Sequence, residues 1–198
     1  MGNEYNWRTI RLALISSEGR FKFLVAKLVS VAILILIGMV AGLLASFIMS
    51  SITTAIGGNS FSFSFSTGGY WWDQFLQFWR TFFIILPFTL MGFMFAIVGR
   101  SAMPGIAIGV GILFLEPIIT SFMRLASGWV ADVPDYLFSA NVNAIDALND
   151  LPGDFGGGPF AAMIRVPSVT HAAIVLTIYM VVFLGISFYL FRKRDVTG

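Results

Sequence analysis

Cysteine is absent, so the chain has no disulfide framework and no thiolate for catalysis or metal binding, and its redox compartment is left open. Histidine occurs once, at His171, and a single imidazole cannot make a metal centre by itself. Charge is scarce: 11% of the residues are charged, against about 25% in an ordinary soluble domain. The net charge of +2 gives no sign of a nucleic-acid partner. The phosphate-cradling GxxxxGK[ST] loop is missing, which excludes ATP binding through a P-loop, and GxSxG, HExxH and CxxC are missing as well. A membrane-embedded enzyme would need paired carboxylates or a histidine cluster at one depth, and the pattern offers neither, so no catalytic residue, cofactor site or metal site is expected.

What the chain has is apolar length. Of its 198 residues 58% are hydrophobic, and the mean hydropathy is +0.88. A soluble fold of this size could not hide so much apolar surface, because much of any folded surface still faces water. Four stretches are long enough to cross a bilayer: 28–50, 81–98, 103–123 and 172–191, each near the roughly 20 residues that span a hydrocarbon core. With no water inside the core, each must be helical to pair its own backbone groups. With their flanks, the spans are expected at about 24–51, 79–99, 103–123 and 171–191, separated by loops over 52–78 and 124–170. The first apolar run is too long for the core of a cleaved signal peptide and follows too long a preamble. The expectation is an all-α integral membrane protein, a single transmembrane domain over 1–198.

Basic residues set the expected orientation. With the N-terminus in the cytoplasm, the inner segments hold Arg8, Arg11, Arg20, Lys22, Lys27, Arg100, Arg192, Lys193 and Arg194, and the outer ones Arg80, Arg124 and Arg165. Nine of the twelve cations then lie inside, which predicts a multi-pass protein with both termini in the cytoplasm. Trp71, Trp72, Trp79 and Trp129 fall near span ends, where an interfacial aromatic belt belongs. The run Arg192–Lys193–Arg194 directly after the last span reads as a stop-transfer anchor.

Three pieces do not span. Residues 4–22 read as an amphipathic helix in the cytoplasmic interface, with Tyr5, Trp7, Ile10 and Leu14 on an apolar side, Arg8 and Arg11 on another, and Ser16 to Gly19 as its stop. In 57–69, Phe61, Phe63 and Phe65 alternate with serines between glycine pairs, which reads either as a short strand or hairpin arm or as a loop dipping its rings into the headgroups. In the long region before the last span, residues 135–148 read as a short helix lying on the outer surface.

Two positions inside the third span carry weight. Glu116 lies eleven residues past Gly105, about 16 Å along a helix, close to mid-bilayer, where a charge is costly. It is therefore protonated, paired or facing a wet path. Pro117 follows it and donates no amide, so a helix kink or end is expected there. One reading makes Glu116 a pathway residue; the other makes it a buried hydrogen-bonding group at a helix break. Gly38 with Gly42, and Gly105 with Gly109, are spaced to permit close helix contact. His171, at the start of the last span, reads as an interfacial cap.

The stretch EYNWRTIRLALISSEGRFKFLVAK, from Glu4 to Lys27, resembles the ABC-2 type permeases, the membrane subunits of one class of ABC transporters. That family shows an acidic residue, a T-x-R step, a short turn and an R-x-x-[FL]-L-x-[AG]-K run leading into a span. Here these are Glu4, Thr9 with Arg11, the Ser16–Gly19 turn, and Arg20, Phe23, Leu24, Ala26 and Lys27. The ending FYLFRKRDVTG is similar to the family's aromatic-rich last span followed by F-x-x-R-D, through Phe191, Arg194 and Asp195. The four-span layout resembles the family's final four helices. The resemblance implies a transport subunit whose segment 4–22, through Glu4, Arg8, Thr9, Arg11, Glu18 and Arg20, docks on a separate nucleotide-binding ATPase subunit. It also implies a second permease subunit or other transmembrane chain beside it, in the cytoplasmic membrane of a prokaryote. The family usually has two further spans before the acidic T-x-R segment, and the present chain starts there. That leaves a shortened copy, helices supplied by another polypeptide, or a protein reduced to a structural subunit of a larger membrane complex. Substrate, direction of transport and oligomeric state are not given by the residues.

Overall fold

A computed structural model describes residues 20–57, 67–149 and 167–193, and in them the chain is all-helical. Four helices are long and apolar enough to cross a membrane: α1 (Arg20–Ile56), α2 (Gly68–Gly99), α3 (Ala102–Leu125) and, after the short α4 (Phe138–Asp146), α5 (Val169–Lys193). Two 3₁₀ turns, Gly128–Ala131 and Val133–Tyr136, lead from α3 into α4.

Local chemistry fixes the helix ends. The Thr67 hydroxyl accepts from the Tyr70 amide (3.3 Å) to start α2, and Ser101 accepts from Met103 (3.3 Å) to start α3. Ser168 does the same for His171 (3.3 Å) at the head of α5. Between α2 and α3 the chain reverses in one step, with Arg100 in the left-handed region at φ 51° and its amide turned back toward Ile97. The hairpin closes tightly: a Cβ added at Gly105 would lie 2.5 Å from the Gly92 carbonyl oxygen, and one at Gly99 would lie 2.3 Å from Pro104 Cγ. Gly105 thus does what small residues in membrane helices do, letting two backbones approach. Gly109, Gly38 and Gly42 face open space, so the expected small-residue contacts are realised at Gly105 alone of these four.

Several expected boundaries move. The first span, expected at 24–51, is a helix of 37 residues, about 55 Å long against a core of about 30 Å. Its first turn takes in Arg20 and Lys22, four and two residues before the expected start of the span. The loop expected over 52–78 is partly helix, because α1 runs to Ile56 and α2 starts at Gly68, carrying Trp71, Trp72 and Asp73 in its first turns. Once a helix is nucleated, each added residue gains a hydrogen bond, so polar flanks are absorbed until a cap stops them. Pro117 neither ends nor interrupts α3, which runs eight residues beyond it. The missing amide is accommodated within the helix, and the Pro117 carbonyl accepts from both the Thr120 (2.9 Å) and Ser121 (2.8 Å) hydroxyls. The alternating Phe–Ser segment lies outside the described residues between Gly57 and Thr67, as does the segment from Glu4 to Glu18.

Two apolar clusters hold the bundle. One joins Ile84 of α2, Phe138, Ala144 and Ile145 of α4, and Ala172 and Leu176 of α5. The other joins Leu24 of α1, Phe93 and Ile97 of α2, and Phe191 of α5, bringing the start of α1 and the ends of α2 and α5 to one end of the bundle. Beyond that second cluster no residue of α1 is buried, and a stripe through Val31, Ala32, Ile35, Leu36 and Met39 is half-buried.

Candidate functional site: a short helix seated among three spans

The 135–148 segment does not lie on a surface. Its helix, α4, packs among α2, α3 and α5, with Phe138, Ala140, Asn141, Ala144 and Ile145 buried. Each of the three spans holds it at two levels. Near the bundle end carrying the starts of α2 and α5, three polar side chains anchor the connecting chain. Arg124 of α3 pairs with Asp135 (2.9 Å), Arg80 of α2 donates to the Leu148 carbonyl (2.8 Å), and the His171 Nε2 of α5 meets the Asp135 carbonyl at 3.0 Å. Eight residues further along each span sits a contact to the start of α4 or to the turn just before it. Glu116 of α3 accepts from Ser139, Phe88 of α2 meets the Phe138 ring edge-on at 4.3 Å, and Tyr179 of α5 donates to the Tyr136 carbonyl at 3.1 Å.

The eight-residue steps along the spans are bridged by side chains of different reach, because the carbonyls they meet, those of Asp135 and Tyr136, belong to adjacent residues. At its far end α4 is tied by Asn149, which donates to Asp146 (3.3 Å) and Thr81 (3.4 Å).

The start of such a helix needs an acceptor. The first amides of any helix lack intrahelical partners and carry the positive end of its dipole. No side chain of the preceding residue caps α4, since that residue is Leu137. Glu116 fills the role from another helix: its Oε1 accepts from the Ser139 amide at 2.6 Å and from the Ser139 hydroxyl at 3.0 Å. The Glu116 carboxylate is thereby bonded, and a helix end that would otherwise be orphaned in the bundle gains an acceptor. Asn141, fully buried, reinforces the turn by donating to the carbonyls of Asp135 (3.0 Å) and Leu137 (2.6 Å).

Between α3 and α4 lies a cavity of about 20 Å³ lined by Thr120, Ser121, Arg124, Ser139 and Asn143 with Pro117 and Ala140, room for a single water. The arrangement has hydrogen-bonding and positioning capacity. No group of three or more His, Cys, Asp or Glu side chains that could hold a metal ion occurs among the described residues.

Of the residues singled out in the sequence, Glu116 and Pro117 lie at this site. Arg20 opens α1 at the opposite end of the bundle, so the structure does not bring it to them. Glu4, Arg8, Thr9, Arg11 and Glu18 lie outside the described residues. Sequence reasoning missed Ser139, the Arg124–Asp135 pair and Tyr179. The signal for a partner was present in Glu116 itself, since a carboxylate at that depth requires donors, but nothing in the spacing identifies Ser139 as the donor. His171 does more than cap a span: its ring holds the Asp135 carbonyl and lies edge-on to Tyr136 at 5.1 Å.

Residues 1–197 match the model of a family described as "Protein of unknown function (DUF2705)". The chain is similar to the uncharacterized protein YhcI of Bacillus subtilis (strain 168), with 23% identity over 206 residues that cover 100% of this chain and 61% of the relative. It therefore spans about three fifths of the length of that curated relative. No solved structure matches it.

Proposed function

The chain belongs to the family described as protein of unknown function DUF2705, and from that premise we propose that it is a membrane-spanning permease subunit working with a separate ATPase. The two ends of the sequence support this through their resemblance to ABC-2 type permeases, Glu4 to Lys27 at one and Phe191, Arg194 and Asp195 at the other. The nine-to-three division of cations supports a cytoplasmic location for both termini. In that frame the end carrying Arg80, Arg124 and His171 faces outward, and α4 is an outer re-entrant element.

One structural observation bears most on the reading: the Glu116 carboxylate holds the first turn of α4 among the spans. A segment that dips among spans and returns is a natural closure for the outer end of a path, because non-helical backbone at such depth is tolerated only where protein or a wet cavity surrounds it. The segment 4–22 then serves as the docking element for the ATPase subunit. A second permease subunit or another transmembrane chain lies against the exposed spans.

Co-purification tests this. Arg8→Glu with Arg11→Glu should lose the ATPase subunit while the chain stays folded in the membrane; undiminished recovery of the complex would remove the docking role. Glu116→Gln should impair transport. A second reading, a non-transporting structural subunit, is favoured by the same bond seen differently, since capping α4 gives Glu116 a sufficient structural task. Isolation within a large assembly that lacks any ATPase would select that reading.

A further inference from the structure

Along α3, Glu116, Thr120 and Arg124 recur every fourth residue and so share one face, and on α4 Ser139 and Asn143 do the same. The two rows meet. Ser139 bonds Glu116, and Thr120, Ser121, Arg124, Ser139 and Asn143 line the cavity between the two helices. A polar seam therefore runs from the carboxylate to the bundle end where Arg124 pairs with Asp135. We propose that this seam is a proton route, with one water in the cavity as the relay, and that Glu116 is a proton-binding site in exchange with the aqueous phase at that end.

The directions of the hydrogen bonds fit this role. The Thr120 and Ser121 hydroxyls donate to the Pro117 carbonyl at 2.9 and 2.8 Å, so toward the cavity their oxygens can only accept. The Ser139 hydroxyl donates to Glu116 Oε1 at 3.0 Å, and its oxygen likewise can only accept. The Asn143 amide supplies donors. A water in this space of about 20 Å³ thus has hydroxyl oxygens to donate to and an amide to accept from, the few polar partners that hold a buried water. Ser139 joins the two parts, because the hydroxyl that lines the cavity also bonds the carboxylate. Its proton passes to Glu116 Oε1 as its oxygen takes another from the protonated water, which is left neutral and is recharged from solvent. The carboxylate becomes a carboxylic acid, the hydroxyl is restored, and no bond between heavy atoms changes. Arg124 is engaged with Asp135, so the route calls on no free cation.

The titratable groups around Glu116 leave it as the acceptor at the inner end of the seam. On α2, Tyr70, Asp73 and Arg80 all lie toward the start of the helix, and Phe88 faces the site. On α4 the titratable residue is Asp146, at its far end. The turns before α4 carry Asp132, Asp135 and Tyr136, with Asp135 paired to Arg124. From α5, His171 bonds the Asp135 carbonyl, and Tyr179, within electrostatic reach of Glu116, has its hydroxyl proton on the Tyr136 carbonyl. The inference stands on the packing of α3 against α4 and holds whether the chain is a permease or a structural subunit.

The test uses the full chain in lipid nanodiscs, labelled with carbon-13 at the glutamate carboxyl. Three residues carry the label, Glu4, Glu18 and Glu116, and Glu116→Gln identifies the signal of interest. As pH falls, that signal should move from the carboxylate to the carboxylic acid position as a single averaged line, the mark of fast proton exchange. Ser139→Ala keeps the amide bond to Glu116 and removes the relay hydroxyl. It should slow exchange by about tenfold, as one lost hydrogen bond implies, and so broaden or split the line. Asn143→Leu, which plugs the cavity, should do the same. Ser139→Thr keeps a hydroxyl and should retain the averaged line, which separates loss of the relay from loss of the fold. A Glu116 signal fixed at one position at every pH at which the chain is folded, or split in the parent chain, would overturn the proposal. An averaged line that survives either Ser139→Ala or Asn143→Leu would overturn it too, because the proton would then reach Glu116 by another way.

Discussion

The most apolar helix of this protein is the one least involved in its core. The best 18-residue window of α1 has a mean hydropathy of 2.8 and none of it is buried, whereas α2, at 2.3, has 39% of its window buried. In water that order would be reversed. In lipid, apolar side chains gain nothing by leaving hydrocarbon for protein, so hydropathy puts a helix in the membrane without telling it to pack. What α2, α3, α4 and α5 share, and α1 lacks beyond its first turns, is polar bonding between elements and close backbone approach. The hydroxyls of α1 turn inward on their own helix: Ser30, Ser51, Thr53 and Thr54 each bond the carbonyl four residues back. Those at the α4 site reach across, as Ser139 does to Glu116 and Tyr179 to Tyr136.

The sharpest way to break this contrast is a pair of glycines. At Gly105 a Cβ would stand 2.5 Å from the Gly92 carbonyl oxygen and 3.5 Å from the Ala96 amide nitrogen, both backbone atoms that cannot swing away. Gly105→Leu should therefore force α2 and α3 apart and lower stability by about 3 kcal/mol, measured by denaturant unfolding in micelles. Gly42→Leu, where a Cβ meets nothing within 4 Å, should change it by less than about 0.5 kcal/mol. Comparable losses at both positions would mean that α1 is packed as tightly as the rest.

The same division explains what could be read from the residues alone. α3 and α5 match the expected spans to within about two residues, because a long apolar run in a membrane protein has one structural solution. α1 and α2 were underestimated at their polar ends, since hydropathy marks where lipid begins and not where a helix stops. The stop came from Thr67, a cap set among serines and glycines that offered several equal candidates. α4 was the least legible. Its sequence, FSANVNAID, has no long apolar window, so the natural place for it was a surface. Its burial depends on partners from three other helices, which no local pattern encodes. Glu116 was visible as an anomaly needing donors, but its neighbour Pro117 drew attention to a break within α3, whereas the donor came from a helix that begins twenty-two residues later.

A smaller effect isolates that donor–acceptor pair. Glu116→Ala leaves the Ser139 amide and hydroxyl without their acceptor in a partly buried setting, at a cost of about 2 kcal/mol. Hydrogen exchange at Ser139 and the following amides of α4 should accelerate in step, while exchange in α2 stays slow. Glu116→Gln keeps one acceptor oxygen and should lose about half as much. Ser30→Ala on α1, which removes a hydroxyl bonded only to its own Ala26 carbonyl at 2.8 Å, should leave exchange unchanged. If Glu116→Ala spared α4, the carboxylate would no longer count as its cap, and the case for α4 as a held closure would go with it.

The finest comparison lies within α5, between two hydroxyls two residues apart. Tyr179 donates across to the Tyr136 carbonyl at 3.1 Å, and its ring packs on Phe138 and Phe183, each at 5.7 Å between centroids. Thr177 bonds its own Ala173 carbonyl at 2.7 Å. Tyr179→Phe keeps the ring and removes one inter-element bond, which in membrane bundles averages about 0.6 kcal/mol. Thr177→Val removes a bond that joins nothing to anything else, and should cost less. The difference is small enough to need replicate unfolding curves, yet its sign is decisive. If Thr177→Val cost as much as Tyr179→Phe, the hydroxyls would be stabilising individual helices, and the cohesion around α4 would have to come from its apolar contacts with Ile84, Ala172 and Leu176 instead.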